Sequence, residues 1–514
     1  MNIAKLAKYA AKKRCEPLKH LSNSWLLPFG IDKLKIVLEA ERKRRFPPLT
    51  LEEHEKHGDT YGQNSGGQYV ILTRDPRNIR SILSEQAKIF QYGAVRRACF
   101  RPLLGDGIFT KDGVEWEKSR KILAPIFHQD HVPNLAILEK HVKQLTERLF
   151  EAKNQVKEDL FSGELQELFF SFTLDTATEF LFGKSTESLS RGQEIQQGNE
   201  VMLFADAFNI AMRWLARRER LKAFYWLLQS KEFRATCSIA HNFVESIIQA
   251  RLDTFESGAN KQMREKSVLQ HMHESAVDEK TTRDEIINVL FAARDTTASL
   301  LNWIFYTLSR EPAIFKALRA EILSVLGDNT SRGPTNSELA RMEYLDQVID
   351  ETLRLFPVVP LNGRFCTQTT TLPSGGGTDA QSPILVPKGT LICYSPYAMQ
   401  RSAKLYGDDV GEFRPERWAE KSVKERTIDG SYMPFNRGPR KCLGERYALK
   451  QTKYVTCRLV QHIKHISPSN NEGSAIAEEP KKWQDNIKYH IGITMASDDG
   501  LRVKYVSARA GALR

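Results

Sequence analysis

The stretch Phe435-Asn-Arg-Gly-Pro-Arg-Lys-Cys-Leu-Gly444 decides the fold class of this chain. Its two glycines and Pro439 favour a tight loop around Cys442. Positive charge beside a cysteine favours thiolate over thiol, and three cations of the loop supply it: Arg437, Arg440 and Lys441. The helical pattern that begins at Leu443 would add the positive end of a helix dipole. This combination predicts a metal-binding thiolate. The alternative is a glycine-rich surface turn that holds an incidental cysteine.

Two further patterns place opposite charges together. Glu351-Thr-Leu-Arg354 puts both charges on one helix face, and Phe413-Arg-Pro-Glu-Arg417-Trp418 supplies another arginine. Taken alone, the Glu351–Arg354 pair would be a solvated surface pair, worth less than about 0.5 kcal/mol. With Arg417 present, a buried network is the favoured interpretation.

The longest helical pattern runs from about Arg283 to Leu308 and is apolar on all sides near its middle, which is typical of a buried helix. It contains Ala292-Ala-Arg-Asp295-Thr296-Thr297. Burying polar groups without hydrogen-bond partners costs free energy, so an acid followed by two hydroxyl residues in this helix indicates a functional role. The alternative is a helix kink in which a threonine bonds to a preceding carbonyl.

Together these motifs resemble the cytochrome P-450 superfamily, whose haem iron is held by a cysteine thiolate. The resemblance assigns roles to six residues: Cys442 as the ligand of haem b iron, Glu351, Arg354 and Arg417 as a buried structural network, and Asp295 and Thr296 as a proton relay. One position departs from the family pattern, because Ala293 stands where a glycine is usual. Its methyl group would narrow the helix groove.

Haem also carries two propionates, which need cationic partners. Trp116-Glu-Lys-Ser-Arg120 resembles the family segment whose side chains reach a propionate, although Arg120 could also be an ordinary surface cation. Arg364 and Arg440 are further candidates, and Phe435 is expected to keep the site apolar. Charge-assisted hydrogen bonds of this kind contribute ~1.5–3 kcal/mol each.

The predicted fold is mainly α with a small β portion, as in the cytochrome P-450 fold, with a long central buried helix over haem. Residues 1–30 are predicted to form a basic N-terminal segment that could contact a membrane surface, and residues 31–514 a single haem domain. Helical spacing predicts helices over Leu135–Phe150, Leu165–Phe182, Met202–Trp214, Phe243–Leu252 and Leu443–Ile463. Strand patterns cover Gln68–Thr73, Pro383–Val386, Thr390–Tyr394, Gly492–Ala496 and Leu501–Tyr505.

Charge and hydropathy restrict the partners. Lys and Arg outnumber Asp and Glu by 75 to 63, which favours acidic partners or anionic lipid. Neither zinc-finger spacing nor a basic block interleaved with aromatics is present, so nucleic-acid binding is not expected. No apolar run is long enough to span a membrane. The basic start could lie on a membrane surface or be a solvated terminus.

The resemblance implies a monooxygenase that inserts one atom of dioxygen into a C–H bond, with electrons from NADPH through a separate reductase. The reductase would dock on a basic face near Lys118, Arg120, Lys121 and Lys441, and the enzyme is expected to be a monomer. The expected location is the cytosolic face of the endoplasmic reticulum if an anchor is missing from this sequence, and otherwise a peripheral membrane or cytoplasmic position.

Three segments resemble the fungal alkane- and fatty-acid-hydroxylating branch: Leu104–Thr110, Thr371–Gly377 and Tyr406–Trp418. Segments Phe100–Phe109 and Val201–Trp214 are rich in Phe, Leu, Ala and Met, and predict an apolar substrate. One alternative is tailoring of a fungal polyketide or terpenoid, because pocket residues diverge on a shared fold. The others are a haem enzyme that rearranges peroxides and a non-catalytic binding protein.

Overall fold

A computed structural model describes residues 3–21, 30–128, 133–157, 159–190, 200–256, 267–420, 430–469 and 484–508. The chain divides into two compact units. The sheet unit comprises Met1–Gly93, Asp350–Cys442 and Asn486–Asp498, and the helical unit comprises Ala94–Ile349, Leu443–Asp485 and Asp499–Arg514. The predicted division at residue 30 stays a prediction, and residues 1, 2 and 22–29 of its first segment lie outside the described residues.

Helices make up most of the described chain, which confirms the predicted fold class. Those of the first half are α1 Ile3–Lys12, α2 Ile31–Arg42, α3 Phe46–His57, α4 Pro76–Arg80, α5 Gly93–Leu104, α6 Gly113–Phe127, α7 Leu135–Leu149, α8 Leu165–Phe182, α9 Glu200–Arg220 and α10 Lys231–Glu256. Those that follow are α11 Val268–Glu274, α12 Glu279–Leu308, α13 Pro312–Leu326, α14 Asn336–Ala340, α15 Glu343–Leu355, α16 Pro396–Met399, α17 Ala403–Tyr406 and α18 Glu445–His462.

The strands are short. They are β1 His20–Leu21, β2 Thr60–Ser65, β3 Gln68–Thr73, β4 Phe90–Gln91, β5 Gln155–Lys157, β6 Leu160–Glu164, β7 Asn362–Cys366, β8 Thr370–Gly376, β9 Ser382–Val386, β10 Leu391–Tyr394, β11 Ile463–Pro468, β12 Tyr489–Ile491, β13 Met495–Ser497 and β14 Arg502–Ser507.

The sheet unit is built on a six-stranded sheet of order β1-β2-β3-β10-β7-β4. Strands β2 and β3 form a hairpin whose register runs from Thr60 opposite Thr73 to Ser65 opposite Gln68. The two-residue turn between them is Gly66-Gly67, with φ of 57° and 80°. Positive φ at both positions matches the twist that a tight hairpin needs, which is why glycine suits them. Apolar side chains from the sheet and from α4 form the core, Ile71 and Ile79 being fully buried.

The helical unit is organised around α12. Its first turn is capped by Asp278, whose carboxylate accepts a hydrogen bond from Thr281 N at 2.9 Å. Helix α8 packs along it, with the rings of Phe169 and Phe305 5.5 Å apart. Residues 284–291 and 297–308 of α12 are buried, as its apolar composition predicts, whereas Ala292, Ala293, Asp295 and Thr296 between them are only partly buried. A four-stranded sheet of order β11-β14-β6-β5 completes the unit.

Most predicted elements are present with small shifts of their ends, but the helix predicted over Phe243–Leu252 is only part of the longer α10, which begins at Lys231. The strand predicted over Gly492–Ala496 is wrong in position, because only its last two residues pair, within β13. Gly492 N instead donates to Thr494 O at 3.0 Å, which makes residues 492–494 the turn between β12 and β13. Among the described helices, none combines the length and the apolar character that crossing a membrane requires.

Candidate active site

The cysteine loop of the sheet unit is held by its own backbone. Cys442 N donates to Phe435 O at 3.0 Å, and Lys441 N donates to Gly438 O at 3.0 Å. Gly438 has φ +69°, and a Cβ at this position would collide with the carbonyl of Leu83. Only glycine therefore fits this turn. The loop geometry matches the tight turn that the sequence predicts.

The sulfur itself is accessible, since Cys442 is exposed in the protein chain. Phe435, at the start of the same loop, is partly buried. Asn436 adopts φ 59°, and its Oδ1 accepts a hydrogen bond from Tyr394 OH at 3.1 Å. This contact ties the loop to strand β10. An accessible thiol on an ordered loop is what a metal ligand requires.

The structure brings Glu351, Arg354 and Arg417 together inside the sheet unit. Glu351 Oε1 accepts from Arg354 Nη2 at 2.8 Å and from Arg417 Nε at 2.9 Å. Its Oε2 accepts from Arg354 Nε at 2.9 Å and from Trp418 Nε1 at 3.0 Å. The three charged side chains are at most 1% exposed. The interpretation as a solvated surface pair is therefore wrong.

Gln400 connects this network to the cysteine loop, and sequence reasoning missed it. Arg354 Nη1 donates to Gln400 O at 3.0 Å. Gln400 Oε1 in turn accepts from Met433 N at 3.3 Å, and Met433 O accepts from Asn436 N at 3.2 Å. A continuous series of hydrogen bonds thus leads from the buried arginine to the turn that carries Phe435. A single glutamine in a loop gave no sequence signal for this role.

Burial and charge compete at Glu351. Burial by itself would raise the pKa of this carboxyl group, but Arg354 and then Arg417 and the Arg414 N–H outweigh it, and the net pKa lies below the usual value. The carboxylate is therefore ionised at neutral pH and compensates two buried guanidinium groups.

The two predicted relay residues lie on α12, which runs as a continuous α-helix through Ala293. Thr296 Oγ1 donates to Ala292 O at 2.6 Å. This is the contact between a threonine and a preceding carbonyl that the alternative interpretation expected. The hydroxyl oxygen keeps its lone pairs available as acceptors. To donate a proton elsewhere, Thr296 must first leave the carbonyl of Ala292.

Asp295 has a different environment. Its side chain is 14% exposed, and its Oδ1 lies 3.4 Å from Arg294 Nη1. That oxygen accepts no hydrogen bond from the described residues. Burial raises the pKa of Asp295, and Arg294 offsets only part of the shift. The carboxyl group can therefore hold a proton closer to neutral pH than an ordinary aspartate.

Arg294 was not singled out from the sequence, although an arginine in an apolar helix was a signal that could have been used. Its Nη1 donates to Asn209 Oδ1 of α9 at 2.7 Å. Its guanidinium also lies over the rings of Phe170 and Phe208, at 5.6 and 5.9 Å. The arginine beside the relay acid is thus held by α9 as well as by its own helix.

Two of the predicted propionate partners, Arg364 and Arg440, both contact the aromatic ring of Tyr92. The guanidinium groups of Arg364 and Arg440 lie 4.2 and 4.7 Å from the centre of the Tyr92 ring. In the helical unit, Arg120 lies over the buried Trp116 ring at 5.6 Å. Whether these residues touch propionates stays a prediction.

The residues of the sheet unit fit a haem. An accessible thiol stands at the end of an ordered, cation-bearing loop, which suits a thiolate ligand to iron. Two guanidinium groups on one ring concentrate the positive charge that carboxylates prefer.

Comparison with known proteins decides the family. A family model described as Cytochrome P450 matches residues 35–485. The chain belongs to the cytochrome P450 family. It is similar to Cytochrome P450 52A3-A of Candida maltosa, with 39% identity over 89% of this chain and 87% of the relative. It is also similar to Cytochrome P450 monooxygenase g430 of a Fusarium species, with 38% identity over 96% of this chain and 89% of the relative.

Membership in the cytochrome P450 family confirms several predictions at once. The protein is a haem-thiolate monooxygenase of the fungal branch, it uses haem b, and a reductase partner passes it electrons from NAD(P)H. Its substrate is apolar. When bound, haem supplies the iron at which dioxygen is activated. The individual roles given above to residues of this chain stay predictions.

We expect Glu351→Gln to destabilise the protein by ~3–5 kcal/mol, because two buried guanidinium groups lose their counter-charge. Because the folded-state pKa of Glu351 is lowered, its carboxylate stabilises the wild type fully above the unfolded pKa of about 4.3. This contribution disappears as the pH falls through the folded-state pKa, so the difference between wild type and variant should shrink there. Urea unfolding of the haem-loaded protein across this range measures both effects.

The matched control is Glu343→Gln, an exposed position on the same helix α15, which should change the unfolding free energy by less than about 0.5 kcal/mol. A Glu351→Gln protein as stable as this control at neutral pH would contradict the assigned network.

Proposed function

We propose that this enzyme hydroxylates a long acyl or alkyl chain at or near its terminal carbon. The observation that carries the proposal is an aromatic cluster in the helical unit. Phe291 of α12 meets Phe109 at 5.4 Å and Phe100 at 6.2 Å between ring centres. Phe291 lies one helical turn before Asp295. An apolar wall beside a proton-holding acid suits a substrate without polar handles.

Three sequence segments support the same substrate class. Leu104–Thr110, Thr371–Gly377 and Tyr406–Trp418 resemble the fungal branch that acts on alkanes and fatty acids. Of the second apolar segment, Val201–Trp214, the side chains of Val201 and Met202 lie outside the described residues. Phe204, Phe208 and Ala211 of the same helix are buried.

We assign the following roles in this reaction to residues of the chain. Cys442 would hold the haem iron, and the Glu351 network would keep its loop in place. Asp295 would hold a proton at its carboxyl group, and Thr296 would pass it on after leaving the carbonyl of Ala292. Arg294 would limit how strongly Asp295 retains that proton, because a nearby cation favours the ionised form.

The functional experiment supplies the haem-loaded enzyme with NADPH, a reductase, isotopically labelled dioxygen and a panel of fatty acids, alkanes, polyketides and terpenoids. We expect one labelled oxygen at the terminal or next-to-terminal carbon, found by mass spectrometry. Oxidation of polyketides or terpenoids alone would contradict the proposed substrate. Turnover from a hydroperoxide, with none from NADPH and dioxygen, would contradict the proposed monooxygenation itself.

The same assay tests the relay through Thr296→Val, which keeps the shape but removes the hydroxyl. A positioned proton donor contributes ~10²–10⁴-fold, so product formed per NADPH consumed should fall steeply. Thr296→Ser restores a hydroxyl and should recover most of the coupling. Equal coupling in all three proteins would remove Thr296 from the mechanism.

We also propose that the protein works as a monomer at a membrane surface, on the cytosolic face of the endoplasmic reticulum. Between α9 and α10 the helical unit exposes Phe224, Trp226 and Leu227, at 48%, 55% and 60%. Aromatic side chains of this kind suit the membrane interface. In the sheet unit, helix α1 by itself exposes lysines at positions 5, 8 and 12, which suit anionic lipid. The reductase would dock on a basic face that includes the exposed Lys118 and Lys121.

Trp226→Glu should weaken the membrane association, because a charge replaces an interfacial aromatic. Co-sedimentation with vesicles of anionic and neutral lipid measures it, and Lys231→Gln, a change at an exposed position at the start of α10, controls for the loss of one positive charge. Equal sedimentation of both variants and the wild type would contradict the role of Trp226.

A further inference from the structure

The sheet unit carries a charged cleft at the open end of the β2–β3 hairpin. Thr60 lies opposite Thr73 in this hairpin, so the next pair outward is Asp59 with Arg74, and Arg74 N donates to Asp59 O at 2.8 Å. The cleft beside this pair has a volume of about 380 Å³, and its walls come from the hairpin end, from α4 and from the start of α17. Sites for small molecules typically have volumes of about 300–1,000 Å³. We call it the Arg74 cleft.

Positive charge exceeds negative charge in the walls of the Arg74 cleft. Two carboxylates line it, those of Asp59 and Asp75. Four cations line it: Arg74, Arg77, Arg80 and Lys404. The walls therefore hold two more positive than negative charges. At the rim, Arg80 Nε also donates to Glu85 Oε1 at 3.0 Å, which offsets part of this excess.

The carboxylate of Asp59 is already satisfied by the cations around it. Its Oδ1 accepts from Arg74 Nε at 2.8 Å, and its Oδ2 accepts from Lys404 Nζ at 3.0 Å. Burial would raise the pKa of Asp59, but the hydrogen bonds from Arg74 and Lys404 outweigh it, and the net pKa lies below the usual value. Asp59 is therefore ionised at neutral pH and orients these two cations.

Asp75 is satisfied in the same way. Its Oδ1 accepts from Arg77 N at 2.8 Å, and its Oδ2 accepts from Arg77 Nη2 at 2.9 Å and from Ser374 Oγ at 2.7 Å. Every carboxylate oxygen in the walls thus has a donor within the chain. The cleft has no need of an external cation, and its excess charge favours an anion.

Two buried donors in the walls remain open. The side chain of Arg74 is only 9% exposed, and beyond its Nε contact with Asp59 it donates to none of the described residues. Ser402 is 5% exposed, and its hydroxyl forms no hydrogen bond within the described part of the chain. Burying such groups costs free energy unless they are hydrogen-bonded. Because both line the cleft, they indicate a ligand that brings acceptor atoms.

The donor set suits a phosphate group better than other anions. The planar fork of a guanidinium group matches two phosphate oxygens. Arg77 and Arg80 share one face of α4, and their side chains are half exposed, so both are free to turn toward a bound anion. A phosphate monoester carries about −1.5 to −2 charges at neutral pH and three acceptor oxygens. A carboxylate offers one charge and two oxygens, which would leave donors of the cleft unpaired.

We propose that the Arg74 cleft is a binding site for a phosphate monoester. The free N–H groups of Arg74 and the hydroxyl of Ser402 donate to its oxygens, and Arg77, Arg80 and Lys404 balance its charge. This site lies within the sheet unit and does not depend on the substrate proposed above. Two sources carry the same chemical group, a soluble organic phosphate and the headgroup of phosphatidic acid.

The test is calorimetric titration of the haem-loaded full chain with phenyl phosphate at constant ionic strength. We expect saturable binding of one phenyl phosphate per chain. Ser402→Ala removes a hydrogen bond to a charged group and should weaken binding about tenfold or more. Arg74→Lys keeps the charge but loses the fork, and should weaken binding to a similar extent.

Lys404→Gln removes one charge from the cleft and should weaken binding roughly 5-fold. Its matched control is Lys88→Gln, an exposed lysine of the sheet unit outside the cleft, which should leave the affinity unchanged. Equal weakening by both changes would mean diffuse attraction to a basic surface and would overturn the site.

Ser402→Ala gives the decisive result, because the Ser402 hydroxyl forms no hydrogen bond with the described residues and its loss should not change the unfolding temperature. An unchanged affinity for phenyl phosphate in Ser402→Ala would overturn the proposal, whatever Arg74→Lys does to the fold. Absence of saturable binding to the wild type would overturn it as well.

Competition then distinguishes the two sources of the phosphate. The competitors are glycerol 3-phosphate, vesicles of phosphatidylcholine, and vesicles that also contain phosphatidic acid. Displacement of phenyl phosphate by glycerol 3-phosphate alone would assign a soluble ligand. Displacement by the phosphatidic acid vesicles, with none by pure phosphatidylcholine, would assign the lipid headgroup. Equal displacement by both kinds of vesicle would overturn recognition of the phosphate.

Discussion

The buried carboxylate of Glu351 is the constraint on which the rest of the sheet unit depends. It is the shared acceptor of two guanidinium groups and an indole N–H, all with almost no exposure to solvent. A buried charge pair is weak as a source of stability, but removal of one partner is costly because the other charge stays in a low-dielectric environment. The site therefore tolerates little change, and this suits a part that must hold a loop in one conformation.

That rigidity extends to the cysteine loop through defined contacts. Arg354 donates to Gln400 O, Gln400 accepts from Met433 N, and Met433 O accepts from Asn436 N. Helix α12 plays the equivalent part in the helical unit. One continuous helix carries both Phe291 of the aromatic wall and the relay acid, so their separation is set by helical geometry. Each unit thus has one rigid element to which its functional residues are attached.

Those parts of the fold and the site that depend on residues close together in the chain could be predicted from the sequence. The spacing of Glu351 and Arg354 placed them on one helix face, and the apolar run around Asp295 predicted a buried helix. Strand β3 and helix α8 begin and end where their patterns predicted, at Gln68–Thr73 and Leu165–Phe182. The resemblance to one family then supplied the haem, which no spacing alone would have identified.

The contacts that were missed join residues far apart in the chain. Gln400 with Met433, Asn209 with Arg294, and Asn288 with Phe109 are pairings that only the folded chain brings about. Each pairing involves a polar side chain that belongs to no recognisable sequence motif. Polar residues in a buried helix were recognised as costly at Asp295. The same reasoning applied to Asp284, Glu285 and Asn288 would have predicted that they have hydrogen-bond partners, which are backbone N–H groups of residues 106–109.

The central claim is that Cys442 is the thiolate ligand of the haem iron. The most direct measurement is the carbon monoxide difference spectrum of the reduced haem-loaded protein, for the wild type, Cys442→Ala and the control Cys393→Ala, another cysteine of the sheet unit that is partly exposed. The account predicts the thiolate-type band in the wild type and in Cys393→Ala, and its loss in Cys442→Ala. A thiolate-type band that persists in Cys442→Ala would contradict it.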